Sequence, residues 1–190
     1  GIAYVNHEAY TDAFKSAGAY YMPYYPSRLN TLVPGVGEDK LDFVALPFLH
    51  RDATNCFLRQ SNLYSLNPQD GLTVMKDWSS YFRRLFQAYI SGWDQFGLAL
   101  YMIDLSYPSV PKETIAGDLD YIQSQTRSGE CSNILNKELV EWFRSRFQES
   151  PTYRWIYHDP INGSLSRWYF TPETRKGYVL SQRKLRNQTL

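Results

Sequence analysis

Residues 75–103 read MKDWSSYFRRLFQAYISGWDQFGLALYMI. Within them Met75, Trp78, Phe82, Leu85, Tyr89, Trp93, Phe96, Leu100 and Ile103 recur at steps of three and four. At about 100° per residue, these positions fall in an arc of roughly 80° on a helix, one apolar stripe against which a core must be built. The opposite side carries Lys76, Asp77, Ser80, Arg83, Arg84, Gln87, Ser91 and Gln95, a solvated face. Past Gly97 the polar side is lost, because Leu98, Met102 and Leu105 lie opposite the stripe. A helix is therefore expected over about 70–95. For 97–105 a helix buried all round and a short buried strand, Leu98 to Ile103, both fit.

Working outward, Asn67-Pro68 is a helix start, and Asp52 opens a helix predicted over Ala53 to Leu63. Residues 40–49 are apolar, but Pro47 confines any strand there to an edge or to its first half. Asn6 can cap a helix to Ala17 with Gly18 as its stop. Tyr20-Tyr21-Met22-Pro23-Tyr24-Tyr25-Pro26 is expected to be extended or polyproline-like, since each proline disfavours helix in the residue before it. After the Tyr107-Pro108-Ser109-Val110-Pro111 punctuation, helices are predicted over Lys112 to Gln125 and, capped by Ser132, to Gln148.

The clearest local signal is near the end. Residues 153–158 (YRWIYH) and 165–170 (LSRWYF) flank a turn cluster containing Asn162-Gly163, the pair that tolerates positive φ. A β-hairpin over about 153–170 follows. Thr171-Pro172-Glu173 then caps a helix expected toward Arg186. The predicted class is α+β, mainly helical, with helices packed on the amphipathic helix at about 70–95. Residues 1–150 form a helical body holding the Tyr/Pro-rich segment at 19–34. Residues 151–190 form the hairpin and a basic helix or tail docked on it.

The totals exclude several classes. A chain of 190 residues can bury a core without disulfide or metal support. Cys56 and Cys131 can pair or stay reduced, so they fix no compartment. No uncharged apolar run is long enough to span a bilayer, so no membrane partner is expected. The formal charge is +1, yet residues 151–190 hold 7 Lys+Arg against 2 Asp+Glu, and residues 1–150 hold 13 against 17. The chain starts at Gly1 without an initiator Met, which reads as a scar of processing or excision.

Familiar chemistries find little support. His50-Arg51-Asp52 matches the start of a kinase catalytic loop, but Phe57 stands where the metal-binding Asn belongs. Gly35-Val36-Gly37 precedes Glu38 and Asp39, which would repel a phosphate. His7, His50, His158 and the two cysteines have no zinc-ligand spacing. Cys56 with His50 as base would need both side chains aimed inward across a loop-to-helix junction, so Cys56 is expected to be a small core residue. Glu138 and Glu141 lie one turn apart on a solvated face. No catalytic residue, cofactor or metal is predicted. The triplets at Asn162 and Asn187 match the glycosylation pattern and matter only for a secreted chain.

The hairpin and its basic tail are the functional candidates. Tyr153, Trp155 and Tyr157 alternate onto one face and Arg154, Ile156 and His158 onto the other. With Arg167 and Trp168 they offer rings beside guanidinium groups, and Arg175, Lys176, Arg183, Lys184 and Arg186 follow. Residues 155–160 before Asn162-Gly163 resemble the opening strand pair of GYF peptide-binding domains. Where that family has Gly-Pro-Phe, Arg167-Trp168-Tyr169-Phe170 stands, and no family is assigned. The hairpin and predicted helix are also similar in architecture to small DNA-binding domains. The expectation is a non-enzymatic structural or interaction subunit meeting protein partners, or copies of itself. Its contacts would be the aromatic surfaces, with Tyr20, Tyr21, Tyr24 and Tyr25 beside the hairpin. The alternative is nucleic-acid binding by the hairpin arginines and the basic tail.

Overall fold

The apolar stripe faces the core, but only its middle, Trp78 to Tyr89, is helical; Met75 precedes that helix, and Trp93, Phe96, Leu100 and Ile103 follow it in irregular backbone. A computed structural model describes residues 4–7, 21–47, 49–61, 63–103, 110–159, 161 and 163–180. Helix α2 (Pro68–Val74) is capped by Asn67, whose side chain accepts from the Gln69 N–H at 3.0 Å; α3 (Trp78–Ser91) is capped by Asp77, which accepts from Ser80. Between them Met75 is extended. The helix expected over 70–95 is thus corrected to two. Two caps ten residues apart each begin a helix, and the chain turns so that the Trp78 ring lies on Gly71, where a Cβ would fall 1.9 Å from the ring. Trp78, Phe82, Leu85 and Tyr89 of the stripe are buried on α3.

α3 ends at Gly92 because the chain is diverted into sheet pairing. The Ile156 N–H donates to the Gly92 carbonyl at 3.0 Å and the Asp94 N–H to the Arg154 carbonyl at 3.1 Å. The chain then folds back on the helix it has left, with the Leu98 N–H bonded to the Tyr89 carbonyl. Gly97 permits this approach, since a Cβ there would lie 2.0 Å from the Ile90 carbonyl oxygen. Residues 96–103 are neither helix nor strand, so both readings of that segment give way to an irregular, partly buried one.

The chain is α+β. Among the described residues there are five helices, a three-stranded antiparallel sheet and a two-stranded parallel pair. β1 (Tyr4–His7) runs parallel to β2 (Val44–Pro47), which also bridges Tyr24 through two backbone hydrogen bonds. Asn6, expected to cap a helix, sits in β1; the remainder of that predicted helix, and Tyr20, lie outside the described residues. α1 (Ala53–Arg59) stops short of Leu63 because Gln60 adopts φ 50°. α4 (Lys112–Arg127) forms as expected. α5 (Asn136–Arg146) starts later than a Ser132 cap predicts: Glu138 accepts from the Leu135 N–H, placing the start at Leu135. No described helix is long and apolar enough to cross a membrane.

β3 (Tyr153–His158) and β4 (Leu165–Phe170) form the expected hairpin, with Gly163 at φ 68° in its turn. The helix expected after Pro172 is instead a turn and a third strand, β5 (Arg175–Leu180). The Thr171 hydroxyl accepts from the Thr174 N–H at 2.8 Å, and the Thr171 N–H bonds the Thr174 carbonyl. Gly177 then lies under the Trp168 indole, where a Cβ would be 2.4 Å from the ring. The Pro-Glu pair that suggests a helix start is used as a turn, because the strand beyond it lets β4 pair on both edges. Residues 181–190, with Arg183, Lys184 and Arg186, lie outside the described residues.

Candidate interaction face

The sheet sits on α3 through its aromatic face. Tyr153, Trp155, Tyr157 and Phe170 are buried, Trp155 stacks on Trp93 at 5.1 Å with the rings 4° from parallel, and Tyr89 packs on Trp155 at 4.9 Å. Several of the rings' polar tips go to main-chain carbonyls, Tyr157 donates to the Asp52 carboxylate, and the Trp93 indole N–H is buried without a partner among the described residues. Trp155 donates to the Ala88 carbonyl, Tyr153 to Pro23, Tyr25 to Phe147, Tyr89 to Arg51 and Tyr24 to Thr31, at 2.6–3.0 Å. Tyr21, Tyr24 and Tyr25 are likewise buried, so the extended Tyr-Pro segment lies over the core with its rings inward. Trp168 is partly buried and donates to the Thr54 hydroxyl.

His50-Arg51-Asp52 is a structural hub. The His50 imidazole, fully buried, stacks on Tyr89 at 4.0 Å. Its Nδ1 accepts from the Leu100 N–H at 3.0 Å, which leaves Nε2–H to donate to the Tyr21 carbonyl at 2.9 Å. Burial pushes its pKa down to about 3, against the favourable contact with the Tyr21 carbonyl. The Arg51 carbonyl takes the Tyr89 hydroxyl. Asp52 caps α1 by accepting from the Asn55 N–H, and its other oxygen accepts from Asn55, Tyr81 and Tyr157 at 2.8, 3.2 and 2.7 Å. Burial raises its pKa to about 6, opposed by the Asn55 and Tyr157 hydrogen bonds and reinforced by nearby Asp159.

Asn55 also bridges to Asp159, whose second oxygen is buried without a hydrogen-bond partner among the described residues. Cys56 is buried with its thiol on the Tyr64 carbonyl, and burial pushes its pKa up to about 12. Both cysteines are free thiols. His50 and Cys56, each engaged with backbone groups, do not face one another as base and nucleophile. Among the described residues no three His, Cys, Asp or Glu side chains are grouped to hold a metal ion.

The other face of the sheet is open. The register places Arg154, Tyr169 and Lys176 in one cross-strand row, Ile156, Arg167 and Tyr178 in the next, and His158, Leu165 and Leu180 in the third. Arg154, Arg167 and Lys176 are exposed, as are Ile156 (52%), Tyr178 (55%) and Leu180 (47%). Tyr169 and Tyr178 meet edge to face at 6.0 Å. No Asp or Glu stands at any of the nine outward positions. Arg154 reaches Asp94 at 3.8 Å, whereas Arg167 and Lys176 form no ion pair among the described residues. Arg175 begins β5.

The predicted contact residues therefore separate. Tyr153, Trp155 and Tyr157 belong with Tyr21, Tyr24 and Tyr25 in the interior, while Arg154, Arg167 and Lys176 share the outer face. Tyr178 and Leu180 are the members sequence reasoning missed. Alternation along β5 would have found both, had Pro172 not been read as a helix start. No family model matches this chain, and no curated protein or solved structure is significantly similar to it.

Proposed function

We propose that the chain is a non-enzymatic interaction subunit of a larger assembly that meets a protein partner through the outer face of β3-β4-β5. In this reading the helices around α3 are scaffold, and the buried rings serve to hold the sheet. The observation that carries it is the composition of the outward positions. Three cations and no carboxylate share the face with Ile156, Tyr178 and Leu180, each about half exposed. Arg154 is paired with Asp94, and the large side chains bracketed by the unopposed charge of Arg167 and Lys176 are what a partner surface offers. A photo-crosslinking side chain in place of Tyr178, in the chain at its native source, is expected to capture a protein adduct. The same group at Leu119, exposed on α4, is the control. Adducts from position 119 with none from 178 would remove the proposal.

The unopposed cations beside Tyr178 also favour a second reading, single-stranded nucleic acid held by Arg154, Arg167, Lys176 and the basic segment after β5. It requires oligothymidylate binding that weakens steeply with salt and falls on Arg167→Glu. Salt-insensitive binding counts against it.

A further inference from the structure

The two edges of the sheet differ. The β3 edge is closed by residues 92–94 through the Gly92 and Asp94 hydrogen bonds. β5 pairs with β4 alone among the described residues, in an unbroken register from Phe170↔Arg175 to Leu165↔Leu180. It contains no proline and no bulge, so every second residue turns its N–H and C=O toward the open side, a template for another strand. We infer that β5 receives an extended acidic segment of a protein partner as a fourth strand of the sheet. This rests on the outer face being the interaction surface.

The side chains beside the edge specify the occupant. On the outer face β5 presents Lys176, Tyr178 and Leu180 in alternation, with Arg167 one strand further in. An added strand places alternate side chains opposite these, so it carries an acid facing Lys176 and apolar residues two and four positions away facing Tyr178 and Leu180. A second copy of this chain fits poorly. Pairing two β5 edges about a two-fold axis normal to the sheet would join two faces that each carry Arg154, Arg167 and Lys176 and no acid. Lysine on an edge strand opposes that pairing and favours a strand of opposite charge.

The test uses the full chain and a blocked heptapeptide, Thr-Glu-Thr-Val-Thr-Val-Thr. Beside it are run a version with Lys for Glu and a version N-methylated at alternate amides. Hydrogen exchange of the β5 amides and fluorescence anisotropy are the readouts. The Glu peptide is expected to protect β5 amides, and both altered peptides to bind at least about tenfold more weakly. Lys176→Glu should invert the preference toward the Lys peptide. No β5 protection at millimolar Glu peptide overturns the inference, as does oligothymidylate binding where no peptide binds. Equal binding of the N-methylated peptide, with loss on Arg167→Glu, overturns the edge but keeps the face. Binding that neither Arg167→Glu nor Lys176→Glu alters removes the face as well.

Discussion

Replacing His50 by phenylalanine separates two physical roles of one buried ring. Phenylalanine keeps the stack on Tyr89 but removes the acceptor for the Leu100 N–H and the donor to the Tyr21 carbonyl. Losing the partner of a buried donor costs about 1–3 kcal/mol, so a total near 3 kcal/mol is expected at pH 7.5. The pH dependence is more diagnostic. The pKa of His50 lies at about 3 in the folded chain against 6.5 unfolded, because burial disfavours the imidazolium. Below pH 6.5 the unfolded chain takes up a proton that the folded chain refuses, so wild-type stability falls by about 1.4 kcal/mol per pH unit until about pH 3.

The phenylalanine variant lacks that loss. Its disadvantage should therefore shrink by roughly 2–3 kcal/mol between pH 7.5 and 4.5, nearly closing the gap. Urea unfolding followed by tryptophan fluorescence at several pH values, wild type against His50→Phe, measures the difference directly. Every other titrating group cancels to first order. A gap that stays constant or widens on acidification would refute a neutral, doubly bonded His50.

Asp52 should behave in the opposite sense: with a folded pKa raised by burial to about 6 from 3.8, wild type recovers roughly 3 kcal/mol as pH falls through that interval. Asp52→Asn cannot, so it should be relatively worse at pH 4 than at pH 7.5; a gap in urea midpoint that narrows on acidification contradicts this. In the native chain at pH 8 an aromatic disulfide reagent should titrate Cys131 quickly and Cys56 only at the rate of unfolding, since Cys56 is buried with its pKa pushed up to about 12; two fast thiols would refute the burial. Glycine-to-alanine changes should split in sign. Gly177→Ala drives a Cβ into Trp168 and should cost about 1–3 kcal/mol, whereas Gly117→Ala, with open space on α4, should gain roughly 0.5–1 kcal/mol; melting temperatures moving the same way would contradict the packing.

What the sequence makes legible is local. The hairpin can be read because Tyr153, Trp155 and Tyr157 alternate up to an Asn-Gly turn, and both signals act over a few residues. α3 can be read because its stripe and solvated face are both present. The break before it cannot be read from the stripe, since Met75 keeps phase with Trp78 whether or not the helix is continuous. The decisive contact, Trp78 on Gly71, is between two elements. β5 fails for a similar reason. Pro172-Glu173 has the local chemistry of a helix start, and the competing cause is the Trp168 ring above Gly177, contributed by the neighbouring strand. For the candidate face, alternation assigns Arg154 and Trp155 to opposite sides. Which side meets the body depends on α3 and Trp93.

Irregular backbone also accounts for many of the aromatic side chains that lie inside. Residues 21–36, 49–52 and 92–103 are largely irregular, so their carbonyls lack the ladders that regular elements provide. A core of phenylalanine and leucine would bury those carbonyls unpaired. Tyrosine and tryptophan bring a large apolar surface and one donor; here three donors go to the irregular-segment carbonyls of Pro23, Thr31 and Arg51, and two to the helix-end carbonyls of Ala88 and Phe147. His50 serves two segments at once, accepting from Leu100 and donating to Tyr21. Tyrosine richness in this chain is thus coupled to irregular backbone. The residues that the proposed function assigns to a partner are those the alternation leaves outside, Arg167, Lys176 and Tyr178, where charge without a counter-charge has no structural task of its own.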